Sequence, residues 1–102
     1  MKQINSSEFD SVINNGISFV DFYADWCGPC KMMSPIIEEI EKEISNISFY
    51  KVNVDEAEEI AARYGIMSIP TFIIFKDGDL LNKIVGGHSK QEMLSFIKNN
   101  GV

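Results

Sequence analysis

The chain reads as apolar runs and helical stripes in turn. Residues 17–23, Ile-Ser-Phe-Val-Asp-Phe-Tyr, are mostly apolar, as a strand covered on both faces must be. Met33, Ile36, Ile37, Ile40 and Ile44 then recur at helical spacing, which predicts a long helix with one apolar stripe. Residues 47–54 return to a strand-like pattern. Asp55 with Glu58 three residues on reads as the cap of a helix that should run to Tyr64, before Gly65. Residues 71–75 are β-rich and apolar, Asp77-Gly78 is a hairpin signal, and residues 80–85 are the returning strand. Ser89 with Glu92 predicts the capping box of a last helix, through Asn99. Near the start, Ser6 or Ser7 is expected to cap a short helix ending near Gly16, and residues 2–4 leave room for a first strand.

Strand-like and helical segments alternate until the hairpin. Alternation argues for parallel strands with helices on both faces of the sheet, and the hairpin adds an antiparallel edge. With 102 residues the chain holds one core, so a single domain over residues 1–102 is expected. The composition, 45% hydrophobic and 24% charged, is that of a folded soluble protein and argues against disorder. A net charge of −6 makes a poor phosphate-backbone binder, so nucleic acid is not an expected partner. Residues 1–10 hold one lysine and no apolar run, unlike a signal peptide, and no stretch is apolar enough to span a membrane. A cytoplasmic location follows as the expectation, where thiols are kept reduced and a permanent structural disulfide would be unusual.

The only cysteines, Cys27 and Cys30, are spaced Cys-x-x-Cys between the central strand and the long helix. Zinc normally takes about four ligands, and two cysteines with a distant His88 fall short of that. Haem attachment needs a histidine after the second cysteine, where Lys31 stands. Two inert packed thiols suit a turn at a helix start badly, because Gly28 and Pro29 make that turn. Redox chemistry is left. The first amides of a helix lack intrahelical partners and carry partial positive charge, which favours a thiolate over a thiol. By position Cys27 should be that thiolate and the more exposed of the two. Cys30, one turn further in, should be the buried resolving thiol. Pro29 fits the first helical turn, where its missing N–H costs nothing.

The stretch Val-Asp-Phe-Tyr-Ala-Asp-Trp-Cys-Gly-Pro-Cys-Lys, residues 20–31, closely resembles the thioredoxin family, as does Ile69-Pro70-Thr71 downstream. The resemblance continues through Asp77-Gly78, Val85-Gly86 and the closing helix. It implies an α/β thioredoxin fold, a central mixed sheet of about five strands flanked by four helices. It also implies that Cys27 attacks the disulfide of a protein substrate and that Cys30 then releases the reduced product. A thioredoxin reductase, NADPH- or ferredoxin-dependent, would restore the dithiol. No cofactor is expected to stay bound; the reversible Cys27–Cys30 disulfide is the redox group, and a monomer is expected. Thiols of this type have a pKa of about 7 against about 8.5 for free cysteine. At neutral pH that raises the thiolate fraction roughly fifteen-fold and lowers nucleophilicity about five-fold, for a net gain of about three-fold. Attack by Cys30 at high effective molarity should matter more.

Asp21 interrupts the apolar central run. A buried carboxylate without a partner is costly, so it should be neutral with a raised pKa, or paired; the alternative is a strand residue facing water. The resemblance makes it the proton acceptor for Cys30 through water, with Lys51 beside it; an exposed Lys51 is the plain alternative. Pro70 would be the family's cis-proline facing the disulfide, and the Ile69 backbone would hold an extended substrate segment as strand addition does. Trp26, Gly28, Pro29 and Gly86 would complete the docking surface, although Trp26 could be a core residue and Gly86-Gly87 a helix-entry turn. His88 matches no functional position and is expected at the surface before the last helix. Met32, Met33, Met67 and Met93 are read as core or groove filler. Tyr23 replaces the tryptophan common there, and Met67-Ser68 and Gly87-His88 bear on partner preference. A redox-independent binding subunit on the same fold is the competing function, and a double cysteine-to-serine change separates the two. An oxidase or isomerase is a third reading, against which the Gly28-Pro29 spacer argues.

Overall fold

The apolar run at residues 17–23 forms strand β2 (Ile17–Tyr23), and every residue from Ser18 to Phe22 is buried. A strand with no solvent face belongs in the middle of a sheet, and β2 sits there. In this computed structural model, which describes residues 1–100, the other elements are β1 (Lys2–Gln3), α1 (Phe9–Ile13), α2 (Gly28–Glu43), β3 (Ser48–Asn53), α3 (Glu58–Arg63), β4 (Thr71–Lys76), β5 (Asp79–Val85) and α4 (Lys90–Lys98). The sheet order is β1-β3-β2-β4-β5. β1 and β2 both run parallel to β3, and β4 runs antiparallel to β2 and β5. The short first strand is therefore real, and the mixed sheet flanked by helices is the expected fold.

The antiparallel part is wider than the expected last strand alone. β4 already runs against β2, with Phe22 opposite Thr71. Helix length explains it. The six residues of α3 rise about 9 Å, whereas the six of β3 span about 20 Å. The connection cannot carry the chain back to the far end of the sheet, so β4 enters at the end β3 left.

Alternation along the strands divides the core into two layers. Phe19, Phe49, Phe72 and Ile74 meet Met33, Ile37 and Ile40 of α2 and Met93, Phe96 and Ile97 of α4. Val20, Phe22, Val52, Ile73 and Phe75 meet Phe9 and Ile13 of α1 and Ile60 of α3. On β2 this puts Asp21 on the α2 side with Phe19. At the hairpin, Asp77 and Gly78 both have positive φ, 50° and 90°, as a tight turn of the expected kind requires.

Ser89 caps α4 as expected: its Oγ accepts the Glu92 N–H at 3.1 Å while Glu92 Oε1 accepts the Ser89 N–H at 2.9 Å. The other two caps differ from expectation. Neither serine caps α1; Asn5 Oδ1 accepts the Glu8 N–H at 3.0 Å and Glu8 Oε1 accepts the Asn5 N–H at 2.9 Å. The reciprocal bond thus forms one turn before the helix. Asp55 does not cap α3, whose N-cap is Ala57 without a side-chain bond, because the Asp55 carboxylate is engaged elsewhere. Pro35 lies inside α2, where it removes one helical hydrogen bond; the helix continues to Glu43. Among the described residues no helix is long and apolar enough to cross a membrane.

Candidate redox site

The chain leaves β2 at Tyr23 and turns into α2 through Ala24–Cys27. Cys27 is the N-cap, in extended backbone conformation, and Pro29 occupies the first turn as its fixed φ favours. Cys27 and Cys30 are joined by a disulfide, their Cα atoms 5.3 Å apart. The Cys30 N–H, one of the helix-start amides, donates to Cys27 Sγ at 3.2 Å. This is the expected electrostatic arrangement: a donor and a positive helix end aimed at the outer sulfur. Gly28 and Pro29 are exposed.

The expected difference in exposure is absent. Cys27 and Cys30 are each 4% exposed. The reason is the loop before β4: Ile69 packs on the cysteines together with Ala24, Tyr23 and Val54, and Cys27 Sγ lies 3.8 Å from the Ile69 carbonyl oxygen. In the disulfide Sγ carries no proton, so this is a contact; in the dithiol form the Cys27 thiol can donate there. The asymmetry between the two sulfurs is in their polar surroundings. The cap amide and the Ile69 carbonyl both address Cys27, while Cys30 borders a cleft of about 120 Å³ lined by Tyr23, Asp25 and Ser34.

The Ile69–Pro70 bond is cis, as the resemblance implied. Pro70 is buried and its carbonyl accepts the Gly86 N–H at 2.8 Å. Gly86 has φ 91°, a region that side chains with a Cβ enter at a cost, so glycine is what lets β5 end against the proline loop. Thr71 Oγ1 anchors the same loop by donating to the Ser68 carbonyl at 2.6 Å. Contacts thus run from the cysteines through Ile69 and Pro70 to Gly86.

Asp21 is 2% exposed, which eliminates the water-facing alternative. Burial pushes its pKa up to about 7, with the Lys51 charge pulling the other way. Its Oδ1 has no hydrogen-bond partner. Lys51 is the register partner of Asp21 on β3 and is half-buried rather than free, its Nζ 5.4 Å from the Tyr23 ring centre. Desolvation is the larger of the two effects on Asp21, while the Lys51 ammonium is drawn to the Tyr23 ring.

Trp26 is 71% exposed, not a core residue. Its Nε1–H donates to Asp55 Oδ2 at 2.8 Å, and the Asp55 N–H is in turn held by Asn53 Oδ1 at 2.9 Å. Asp55 is the site residue that the sequence reading missed. The signal was topological: Tyr23 and Asn53 are register partners at the ends of adjacent parallel strands, so the segments that follow them must be neighbours. Among the described residues no group of three or more histidine, cysteine or acidic side chains could hold a metal ion.

The family model described as thioredoxin matches residues 1–99. The chain is 40% identical to a thioredoxin of Chlamydia caviae over 100 residues, covering 98% of each chain. It is 45% identical to one of Staphylococcus epidermidis over 96 residues, 93% of this chain and 92% of that one. A solved structure of Plasmodium falciparum thioredoxin superposes with a TM-score of 0.92 at 37% identity, covering 97% of this chain and 98% of that one. The oxidised mitochondrial thioredoxin 3 of Saccharomyces cerevisiae gives 0.89 at 37% identity, covering 97% and 94%. With a disulfide held at a helix start on that fold, the chain belongs to the thioredoxin family and is a thiol–disulfide oxidoreductase.

Proposed function

We propose that this protein is a cytosolic reductase of disulfides in other proteins, acting as a monomeric single domain that a thioredoxin reductase returns to the dithiol state. The observation that carries this reading is the Cys27 sulfur at the N-cap of α2, with the Cys30 N–H 3.2 Å away. A donor and a helix end both favour a thiolate there, which lowers the cost of holding the reduced form.

The Cys27 thiolate attacks one sulfur of the substrate disulfide. A Cys27–substrate disulfide forms, the substrate bond breaks, and its other sulfur leaves as a thiolate that takes a proton from water. The Cys30 thiol then loses its proton, through water, to the carboxylate of Asp21. Its thiolate attacks Cys27 Sγ, so that the Cys27–Cys30 disulfide closes and the second substrate thiolate departs. Two electrons pass from the cysteine pair to the substrate. A carboxyl group with a pKa of about 7 is suited to exchange protons near neutrality, since a base works best when its pKa lies near the working pH. Lys51 tunes that group from the neighbouring strand. The Ile69 backbone, beside the buried Pro70, holds the substrate segment, and Trp26, Gly28, Pro29 and Gly86 frame it. The disulfide is itself the redox group and needs no resident cofactor.

The reduction potential tests the direction. A value near about −270 mV is expected of a reductase, and one of about −120 to −180 mV would make the protein an oxidase or isomerase instead.

A further inference from the structure

On the α2 side of the disulfide, the second turn of α2 faces the entry to α4 across a pocket of about 290 Å³. Its apolar lining is Pro29, Met32, Met33 and Ile36, and Gly87, His88, Ser89 and Glu92 line the rest. Small-molecule sites commonly occupy roughly 300–1,000 Å³, so this pocket suits one side chain rather than a whole cofactor. Pro29 lies between the two cysteines, which makes the pocket continuous with the reacting surface.

Most of the polar side is engaged within the protein. The His88 Nε2 lies 2.9 Å from the Val85 carbonyl oxygen; a carbonyl can only accept, so Nε2 carries a proton and donates. Glu92 Oε1 accepts the Ser89 N–H at 2.9 Å, and Glu92 Oε2 lies 3.7 Å from His88 Nδ1. The His88 N–H reaches Met33 Sδ at 3.4 Å, which ties the polar side to the apolar one. His88 lies at the surface before the last helix, as expected, and its ring fastens the end of β5. These bonds preform the pocket and leave its apolar side without a partner. Met32 is 76% exposed, an apolar side chain left in water. A flexible thioether adapts to differently shaped apolar partners.

We propose that the Met32–Met33–Ile36 pocket is a specificity subsite that takes one bulky apolar side chain of the substrate, near the cysteine attacked by Cys27. This rests on the protein being a disulfide reductase. The occupant is apolar because Pro29, Met32, Met33 and Ile36 line the pocket, and it comes from the substrate because the pocket opens beside Pro29. Met32 acts as a specificity-determining residue.

The test uses symmetric disulfides of blocked five-residue peptides with a central cysteine. Leucine, glycine or lysine is placed in turn at each position flanking that cysteine, and bis(2-hydroxyethyl) disulfide is the small reference. The second-order rate constant for oxidation of the reduced protein by each peptide is divided by that for the reference. At one flanking position leucine should exceed glycine by about five- to ten-fold, less than a closed pocket gives because this one is open on a side. Met32→Lys should cut that ratio to about two-fold or less and Met32→Leu should keep it, a pattern that general loosening would not produce. Since Met32 is exposed, neither change threatens folding, and thermal unfolding verifies this. A ratio near one at every position, a ratio that Met32→Lys leaves intact, or a preference for lysine over leucine would overturn the subsite while reduction itself stands. Failure of every disulfide, the small one included, to oxidise the protein would overturn the reductase reading and the subsite with it.

Discussion

Asp21 lies on the dry face of β2, and Asp55 lies in the exposed loop after β3. Asp21 is 2% exposed, with one oxygen that has no partner and a pKa pushed up to about 7. Asp55 is exposed and accepts one hydrogen bond, from Trp26 at 2.8 Å. The same side chain does opposite work because water reaches one and not the other. On the buried floor, at Asp21, desolvation lets a carboxyl group hold its proton up to about neutrality. On the exposed rim, at Asp55, a carboxylate holds an exposed aromatic by a hydrogen bond. Floor and rim should therefore fail differently. Floor changes should alter proton movement and stability, and rim changes should alter docking alone.

The largest expected effect concerns the two sulfurs. Their equal burial, 4% each, means exposure cannot assign attacker and resolver; the proposed assignment rests on the polar contacts of Cys27. Cys30→Ser should lose turnover by more than about 1,000-fold, since an intramolecular thiolate at high effective molarity is removed. It should also accumulate a Cys27–substrate disulfide visible by mass spectrometry. Cys27→Ser should lose turnover without any such adduct. An adduct on Cys30 in the second variant would reverse the roles.

Asp21 comes next, and its effect has a sign. An ordinary aspartate has a pKa near 3.8 and the folded one about 7. Below about pH 4 the group is protonated folded or unfolded and contributes no difference. From there up to about pH 7 the folded state holds a proton that the unfolded state has lost, so stability declines through that window. Above pH 7 the buried charge carries its full cost, about 4 kcal/mol from the shift. Asp21→Asn removes the charge but leaves an amide with poor partners. The oxidised variant should be more stable than the oxidised parent by about 2–4 kcal/mol at pH 8 and no more stable at pH 4. Urea unfolding at both pH values reads this, and the oxidised form keeps cysteine titration out of it. The same variant should release the mixed disulfide more slowly between pH 6 and 9. Equal stability gains at both pH values would show that Asp21 does not hold its proton in the folded state.

Asp21 and most of the fold were legible in the sequence because their signals are local. An aspartate inside Phe-Val-Asp-Phe-Tyr announces its own desolvation, Ser89 and Glu92 announce their cap, and Asp77-Gly78 announces its turn. The Gly28-Pro29 spacer between two cysteines carries its helix start with it. The missed features depend on segments distant along the chain. Cys27 is covered by Ile69, forty-two residues away, so its burial had no local signature. Asp55 with Glu58 satisfied the pattern for a cap, but Trp26, twenty-nine residues away, offers the carboxylate a donor instead. The direction of β4 follows from the length of α3, which periodicity fixes poorly at six residues. Local chemistry predicted elements and reacting atoms; pairing between strand ends decided exposure and the rim.

The smallest effect isolates that rim. Asp55→Ala removes one hydrogen bond at an exposed site, typically worth about 0.5–1.5 kcal/mol. Trp26 then has only water for its Nε1–H, and its ring is no longer fixed over the mouth of the site. Reduction of a protein disulfide should slow by about two- to five-fold, with the loss in kcat/KM and not in the rate of mixed-disulfide release. Asp55→Asn keeps an acceptor oxygen in the same place and should recover most of the rate. Slower release of the mixed disulfide in Asp55→Ala would mean instead that the Trp26–Asp55 bond also bears on Asp21, and that floor and rim are coupled.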